Sequence, residues 1–256
     1  MRGALPYEPS MRVALAVPCY VDQLRPQAAR ATLMLLERLG CEVSLDFDAP
    51  CCGQPMFNAG IVTAARAAAE NWVRASSTFD AIVMPSGSCT QHVRHHLPDP
   101  LASGAAAHAA AATYELCEFI AGPLGRPTLA GRFPHRVAMH LGCHAQRGLR
   151  LGGSSERHEL LDGPMYGLLA GLDGLVFASL DRPDECCGFG GSFAVGEPDV
   201  SVSMGRDKLA DASSHGAEVL VSSDPSCLLH LEAIARHGGA SLRLLHVAEL
   251  LEEATR

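Results

Sequence analysis

The sequence predicts an α/β protein built from two pseudo-symmetric Rossmann-like halves, each a small parallel sheet flanked by helices. Three observations predict this fold. Short apolar runs alternate with helix-length segments along the 256 residues, and such alternation favours parallel strands joined by right-handed helical crossovers. A pattern of cysteines occurs twice along the chain. A segment rich in glycine and proline lies between the two occurrences, as is typical of a linker.

The first half reads strand, helix, strand, helix, strand, helix. Its first strand is predicted over Arg12–Val17, which is almost entirely apolar. The first helix is predicted over Pro26–Leu39, because leucines recur at helical spacing and Gly40 follows as a stop signal. The remaining elements are, in order, a strand over Glu42–Phe47, a helix over Ile61–Ala75, a strand over Asp80–Met84 and a helix that begins near Ser88.

The second half repeats these signals and adds one further strand. Near the ends of the halves, Glu115-Leu116 is matched with Glu249-Leu250 at an offset of 134 residues. We therefore predict a first repeat over residues 11–121, a linker over 122–135 and a second repeat over 136–254. The predicted strands of the second repeat are Arg136–Met139, Leu175–Ser179, Glu218–Val221 and Leu242–Leu245.

Composition and charge exclude several classes of function. With 28 acidic against 20 basic residues, the formal charge is -8, so nucleic acid is not expected as a partner. The apolar runs are far shorter than the roughly 20 residues that a membrane-spanning helix needs. The first ten residues lack the apolar core of a secretory signal. We therefore expect a cytoplasmic protein without a membrane span.

Ten cysteines are many for such a protein, because disulfides are rare in a reducing compartment. Each half reads Cys, then Cys-Cys-Gly, then Cys, with 31 and 36 intervening residues in the first half and 42 and 39 in the second. Cys41 and Cys117 have no counterpart and are predicted to be buried core residues. The patterned cysteines are Cys19, Cys51, Cys52 and Cys89 in the first half and Cys143, Cys186, Cys187 and Cys227 in the second.

Each patterned cysteine follows the carboxyl end of a predicted strand. In a parallel sheet these ends share one edge, so three loops in each half can bring four thiols to one site. Soft thiolate ligands select zinc, copper(I) or iron-sulfur clusters. The chain has no Cys-x-x-Cys, the usual element of structural zinc sites, and adjacent cysteines suit a cluster with several metal atoms. The glycines after the pairs, Gly53 and Gly188, fit a close backbone approach or a positive φ.

The residues therefore predict one or two iron-sulfur clusters per chain, of the 4Fe-4S type by ligand count. Zinc at one or both sites stays open, which would make the chain a metal-stabilised structural or docking subunit. Thiol redox chemistry also stays open, and it would need an exposed cysteine pair of low pKa.

These motifs resemble the cysteine-rich CCG domains found in a subunit of heterodisulfide reductase and in the glycolate oxidase iron-sulfur subunit. Within this group, the chain from about Met11 to Glu252 is most similar to the lactate utilization protein A family. The resemblance rests on Cys51-Cys52-Gly53-Gln54-Pro55, Pro85-Ser86-Gly87-Ser88-Cys89, Cys186-Cys187-Gly188-Phe189-Gly190-Gly191 and His246-Val247-Ala248-Glu249-Leu250.

The resemblance implies an electron-transfer subunit of a cytoplasmic complex that oxidises L-lactate to pyruvate. Its partners would be a ferredoxin-type iron-sulfur subunit and a third subunit, and the chain would not act as an enzyme alone. One departure matters, since the CCG-domain subunit of heterodisulfide reductase carries a further cysteine at the positions of Ser86 and Asp224. The noncubane cluster of that enzyme is therefore not implied here, and a heterodisulfide-reductase-like thiol redox role is an alternative.

Twelve histidines call for separate treatment. His140 and His144 flank Cys143, and Arg147 follows. In this loop the three residues are predicted to tune a cluster potential or to bind a carboxylate, since a guanidinium pairs well with a carboxylate. His144 and Arg147 are the predicted cofactor-binding residues. The histidines three residues after patterned cysteines, His92 and His230, are predicted to be half-exposed helix residues. The alternative is that they supply a nitrogen ligand or donate to a cluster sulfur. The lone tryptophan, Trp72, is predicted to lie in the core.

Overall fold

A computed structural model describes residues 12–97, 103–126, 128–154, 162–239 and 241–256. Within them the chain forms two four-stranded sheets, all of whose strand pairs are parallel, with helices packed on them. This confirms the predicted α/β class with two Rossmann-like halves. The expectation about the first ten residues concerns a segment outside the described residues. Position 11, where the first repeat is predicted to begin, and position 127, within the predicted linker, also lie outside them. No helix in the described part of the chain is long and apolar enough to cross a membrane.

The first half contributes one sheet and seven described helices. Its strands are β1 (Arg12–Leu15), β2 (Glu42–Ser44), β3 (Ala81–Met84) and β4 (Thr113–Glu115). Its helices are α1 (Cys19–Leu24), α2 (Pro26–Arg38), α3 (Gln54–Asn58), α4 (Val62–Ser76), α5 (Gly87–His96), α6 (Gly104–Ala111) and α7 (Leu116–Ala121). The strand order in the sheet is β2-β1-β3-β4.

The second half has a sheet of the same topology. The remaining strands are β5 (Gly131–Arg132), β6 (Arg136–His140), β7 (Leu172–Asp173), β8 (Val176–Phe177), β9 (Val219–Ser222) and β10 (Arg243–His246). The helices are a π-helical turn (His144–Gly148), α8 (Gly163–Ala170), α9 (Ser192–Gly196), α10 (Pro198–Ser214), α11 (Pro225–Gly238) and α12 (Val247–Ala254). The order β8-β6-β9-β10 repeats that of the first sheet, and β5 from the predicted linker pairs with β7.

Several predicted strands are shorter than expected, two of them by three residues, and the structure adds three strands, β4, β5 and β7, to the prediction. The strand predicted over Glu42–Phe47 ends at Ser44, and that over Leu175–Ser179 is reduced to Val176–Phe177. Both lie at a sheet edge and pair on one side only, so fewer hydrogen bonds extend them. Of the added strands, β4 belongs to a four-stranded sheet, and its three residues, Thr113–Glu115, form no apolar run that would predict it.

The helices at the ends of the two halves correct the predicted repeat register. Helix α7 begins after Glu115, whose side chain forms a capping box with Glu118. Helix α12 begins after His246, which forms the same box with Glu249. Glu115 therefore corresponds to His246, an offset of 131 residues rather than 134. The Glu-Leu dipeptide gives the wrong alignment, because the structure repeats the capping geometry and not the dipeptide.

The core is continuous across the two halves. Helix α2 packs on α12, and α7 packs on α8, so each half contributes two helices to a shared apolar layer. The leucines of this layer are fully buried, among them Leu35, Leu36, Leu250 and Leu251. Trp72 lies in a separate core of the first half, and Cys41 and Cys117 are buried in the shared layer. These three core predictions are confirmed.

Candidate metal sites

The four patterned cysteines of the first half meet at the carboxyl edge of their sheet. Cys19 opens α1 just after β1, Cys51 and Cys52 lie in the loop after β2, and Cys89 lies in the first turn of α5 after β3. The Sγ atoms of Cys19 and Cys51 are 4.0 Å apart. The thiol of Cys52 hydrogen-bonds to both Cys51 and Cys89. The four sulfurs thus form one continuous cluster.

The second half builds the same arrangement. Cys143 directly precedes the π-helical turn, Cys186 and Cys187 lie in the loop after β8, and Cys227 lies in the first turn of α11. Hydrogen bonds join Cys143 to Cys186, Cys186 to Cys187, and Cys187 to Cys227. The structure therefore brings together both sets of four that the sequence singles out. Their sulfurs range from buried to solvent-exposed, and Cys19 is the exposed one.

In each half the first cysteine of the vicinal pair is held as a thiolate. Hydrogen bonds from Cys19 and then Cys52 lower the pKa of Cys51 to about 2. Those from Cys143 and then Cys187 lower the pKa of Cys186 to about 2 as well. A backbone N–H also faces each thiolate, from Gly53 at 3.5 Å and from Gly188 at 3.3 Å. Such donors favour anionic sulfur, whether free or bound to metal.

The glycine that follows each pair is required by its backbone. Gly53 and Gly188 have φ of +94° and +90°, which confirms the predicted positive φ. A Cβ at Gly188 would lie 2.5 Å from the carbonyl oxygen of Ser201, on α10. The backbone at Gly188 therefore lies close to helix α10 as well as to the cysteine sulfurs.

His92 and His230, which follow the last cysteine of each set by three residues, differ in burial. His92 also departs from its prediction. His92 is buried rather than half-exposed, because Phe57 of α3 packs against its ring with the centroids 5.3 Å apart. Burial, with His96 as the next cause, lowers the pKa of His92 to about 4. His230 is half-buried, as predicted, and its Nε2 lies 3.2 Å from the carbonyl oxygen of Ser201.

A buried histidine joins the second set of cysteines. The side-chain nitrogen of His140 and the Sγ atoms of Cys187 and Cys227 all lie within 4.8 Å of one another. His140 is 2% exposed and its Nε2 has no hydrogen-bond partner among the described residues. Burial, and next the charge of Lys208, lower the pKa of His140 to about 3, so the ring is neutral at physiological pH. The corresponding residue at the end of β1 in the first half is Ala16.

A buried lysine also distinguishes the second half. Lys208 is fully buried in α10, and its Nζ donates to the carbonyl oxygens of Arg182 at 2.8 Å and Pro183 at 3.0 Å. Burial lowers its pKa, which Asp211 opposes. Gly188 faces Ser201 and Met204 just as Gly53 faces Ala65 and Ala68. When α10 and α4 are aligned at these contacts, Lys208 of the second half takes the position that Trp72 has in the first half.

The sequence indicates His140 by its place beside Cys143, and it gives little sign of Lys208. His140 lies three positions before Cys143, but nothing in that order of residues shows that it turns towards the sulfurs rather than the solvent. Lys208 lies in a helix whose polar residues would ordinarily face water. When α4 and α10 are aligned at the residues that Gly53 and Gly188 face, Lys208 falls at the position of Trp72. A charged residue at a predicted core position is the sequence feature that could have identified Lys208.

The predicted cofactor-binding residues lie between the two cysteine sites. Both His144 and Arg147 are on the π-helical turn and reach solvent. His144 Nε2 is 3.5 Å from Gln54 Nε2, two residues after the first vicinal pair. Arg147 donates to the carbonyl oxygen of Asp184 at 3.2 Å, two residues before the second pair. The turn thus bridges both cysteine loops.

A buried polar network links the two sites. Tyr20 lies beside Cys19, and its hydroxyl is 2.8 Å from Ser86 Oγ and donates to Asp224 Oδ1 at 3.3 Å. Asp224 Oδ2 also accepts from the backbone N–H of Ser88 at 2.7 Å. Ser86 and Asp224 are the N-caps of α5 and α11, the helices that carry the last cysteine of each set. The two residues at the positions of the further cysteine of heterodisulfide reductase therefore cap helices and join the halves.

Comparison with known proteins follows this twofold organisation. Residues 13–94 and 137–232 match the family described as CCG, cysteine-rich domain. Lactate utilization protein A from an Exiguobacterium species is 37% identical over 250 residues, which cover 95% of this chain and 98% of that protein. Lactate utilization protein A from Bacillus subtilis is 36% identical over 245 residues, covering 94% and 99%. A putative Asp/Glu racemase structure from Yersinia pestis aligns with a TM-score of 0.38 and 12% identity, over 94% of this chain and 96% of that one.

Proposed function

This chain belongs to the lactate utilization protein A family of CCG-domain proteins, and we propose that it is the iron-sulfur electron-transfer subunit of a cytoplasmic L-lactate oxidation complex. The observation that carries the proposal is the convergence of four thiols in each half around one thiolate, at Cys51 and at Cys186. The names of the relatives point to lactate as the substrate.

The donor atoms fit the proposed cofactor. Cys19, Cys51, Cys52 and Cys89 would hold one cluster, and Cys143, Cys186, Cys187 and Cys227 the other. Four soft thiolates match the ligand count of a 4Fe-4S cluster. The N–H groups of Gly53 and Gly188 would donate to cluster-bound sulfur, which favours the anionic unit and tunes its potential. Each bound cluster would supply one-electron transfer.

Two such sites match the electron count of the reaction. Oxidation of L-lactate to pyruvate releases two electrons and two protons, so two one-electron carriers in one chain can take both electrons from a single turnover. The exposed Cys19 sets one site at the protein surface, where a partner could exchange electrons with it. We assign that role to a ferredoxin-type iron-sulfur subunit, and a third subunit would complete the complex.

We further propose that His144 and Arg147 receive a carboxylate. Their π-helical turn lies between the two cysteine loops, and both side chains reach solvent. The Arg147 guanidinium pairs with the Asp184 carboxylate at 3.7 Å, a separation at which a substrate carboxylate could compete for it. In the assembled complex, Arg147→Ala should then raise the KM for L-lactate and leave the cluster content unchanged. An unchanged KM would assign the turn a structural role.

Metal analysis tests the main proposal directly. The full chain is purified anaerobically, and iron, acid-labile sulfide and zinc are measured per chain with the visible and EPR spectra before and after dithionite. Near-stoichiometric iron and sulfide, a band that bleaches on reduction and a paramagnetic signal support the proposal, as does reduction by L-lactate with the partner subunits. Zinc alone, without sulfide after anaerobic reconstitution, would overturn it and favour a zinc-stabilised docking subunit.

A thiol redox role is the second candidate, and one contact favours it. The Sγ atom of the exposed Cys19 lies 4.0 Å from the Sγ atom of the Cys51 thiolate. Thiol-disulfide exchange needs such a pair, in which one cysteine is the nucleophile and the other is a thiol within its reach. If this role holds, alkylation of the metal-free protein should abolish turnover in the assembled complex. Full turnover after complete alkylation of Cys51 would exclude it.

A further inference from the structure

We propose that His140 supplies a nitrogen donor to the metal centre of the second half, so that the two halves hold chemically different centres. The inference rests on the proposed metal binding and deepens it. The cysteine pattern is the same in both halves, and the difference arises from one side chain: the imidazole of His140 stands where the first half has Ala16.

The position of the imidazole carries the proposal. The imidazole lies at the carboxyl end of β6, at the sheet edge where the cysteine loops meet. One of its ring nitrogens and the Sγ atoms of Cys187 and Cys227 all lie within 4.8 Å of one another. Distances of this size separate donors that bind one metal ion or neighbouring atoms of one cluster. The set of donors in the second half is therefore four thiols and an imidazole.

The state of the ring also indicates a ligand. His140 is almost fully buried, and its Nε2 makes no hydrogen bond among the described residues. An unpaired polar atom in the interior destabilises the fold, and coordination to a metal would remove this cost. Imidazole nitrogen binds both zinc and iron, so the chemistry suits either occupant of the site.

The other histidines near cysteines do not share this arrangement. His230 lies on α11, one turn after Cys227, but its Nε2 faces the carbonyl oxygen and hydroxyl of Ser201 at 3.2 and 3.4 Å. His92 of the first half is packed between Phe57 and His96, with ring centroids 5.3 and 5.5 Å away. Among the described residues, the histidine grouped with two cysteine sulfurs is His140.

An isotope experiment tests the assignment without a variant. The full chain is produced in a histidine auxotroph with histidine that carries either ¹⁴N or ¹⁵N in the imidazole ring alone, loaded with iron and sulfide, reduced, and examined by pulsed EPR. We expect a nitrogen coupling that changes with the histidine isotope, which backbone amides would not produce. A reduced second-site signal without any histidine coupling would overturn the proposal.

Matched variants then identify the histidine. The coupling should disappear in both His140→Ala and His140→Gln and persist in His230→Ala, which removes a histidine on the helix that carries Cys227. Persistence in a folded His140 variant would overturn the assignment. If the sites bind zinc and no cluster, zinc X-ray absorption replaces EPR: one nitrogen neighbour, lost in His140→Ala, supports the ligand, and an all-sulfur shell refutes it. The zinc result would overturn the electron-transfer function and still decide the role of His140.

Discussion

The carboxylate of Asp224 accepts a 2.7 Å hydrogen bond from the backbone N–H of Ser88. Asp224, the N-cap of α11 in the second half, therefore fixes the residue that directly precedes Cys89 in the first half. The same carboxylate caps α11, which carries Cys227. A single buried side chain thus fixes the two turns that present the last cysteine of each set. Its loss should disturb the junction of the halves more than the loss of an ordinary helix cap.

Asp224→Ala should lower the free energy of unfolding by about 3 kcal/mol, because it leaves buried N–H donors without an acceptor. Asp224→Ser should cost less, since a hydroxyl can still cap α11 as Ser86 caps α5. Urea denaturation measures both. The exposed cap Asp162 is the control, and Asp162→Ala should cost about 1 kcal/mol or less. Equal losses for Asp224→Ala and Asp162→Ala would refute this account of the junction.

Arg25 is a second cross-link between the halves. Its guanidinium is buried, pairs with Glu232 and with Glu249, the latter at 3.0 Å, and donates to the carbonyl oxygen of Leu244 at 3.0 Å. Arg25→Met should destabilise the chain by about 3–5 kcal/mol, because two partly buried carboxylates lose the buried cation that both contact. Thermal or urea unfolding provides the measurement.

Arg66→Ala is the control for this loss of charge. Arg66 pairs with Glu70 at 3.1 Å on the surface of α4, and its side chain is 59% exposed. Removing such a pair should cost about 0.3–0.5 kcal/mol. If Arg25→Met costs no more than that, the buried network does not hold the halves together.

Stability should depend on pH through His246. Burial lowers the pKa of this histidine to about 3, with the nearby Arg25 charge as the next cause. In the unfolded chain the ring titrates near its ordinary value of 6.5. The unfolded state therefore binds an extra proton between these values, so the stability is present above pH 6.5 and is lost as the pH falls towards 3.

His246→Asn removes this titration and keeps a side-chain acceptor for the α12 cap. Below pH 6.5, the ordinary pKa of the ring, the slope of unfolding free energy against pH should become flatter by up to about 1.4 kcal/mol per pH unit. Urea denaturation over a series of pH values gives the slope. His237→Asn, at an exposed position on α11, should leave it unchanged; a steeper or unaltered slope in His246→Asn would contradict the assignment.

Two buried cysteines of the first half make a matched pair for metal binding. Cys52 belongs to the sulfur cluster and is 5% exposed, whereas Cys41 lies in the shared core and is 8% exposed. Cys52→Ser should remove the metal of the first site, roughly halving the metal per chain, because a hydroxyl is a poor ligand for soft metals. Cys41→Ser should retain the full metal content. Equal metal content in the two variants would remove Cys52 from the ligand set.

If both sites hold the proposed iron-sulfur clusters, the buried charge of Lys208 should raise the reduction potential of the second cluster relative to the first, since a nearby cation stabilises the more negative reduced form. Lys208→Met should therefore lower the potential of the second cluster in an EPR-monitored redox titration. Lys208→Arg, which keeps the charge, should restore most of the value. A potential that is the same in Lys208→Met and the native chain would show that this charge is screened from the cluster.

The fold class and the two sets of four cysteines could be predicted from the sequence because both depend on repeated local signals. Apolar runs mark the central strands, and the offset between Cys-Cys-Gly motifs reveals the duplication. The roles of His140, His92 and Lys208 depend on packing between elements that are distant along the chain. Phe57 covers His92, and the loop carbonyls of Arg182 and Pro183 receive Lys208; no local pattern encodes either contact.

The contacts between helices of the two halves are reciprocal. Helices α2 and α8 occupy matching places, each between the first cysteine and the vicinal pair, while α7 and α12 each follow the last strand of their sheet. Helix α2 packs on α12, and α7 packs on α8. Each half therefore contacts the other through the same pair of helices. This is the isologous geometry of a twofold dimer. The chain therefore has the architecture of a twofold homodimer whose two subunits are joined end to end, with different residues placed around the same set of thiols in each half.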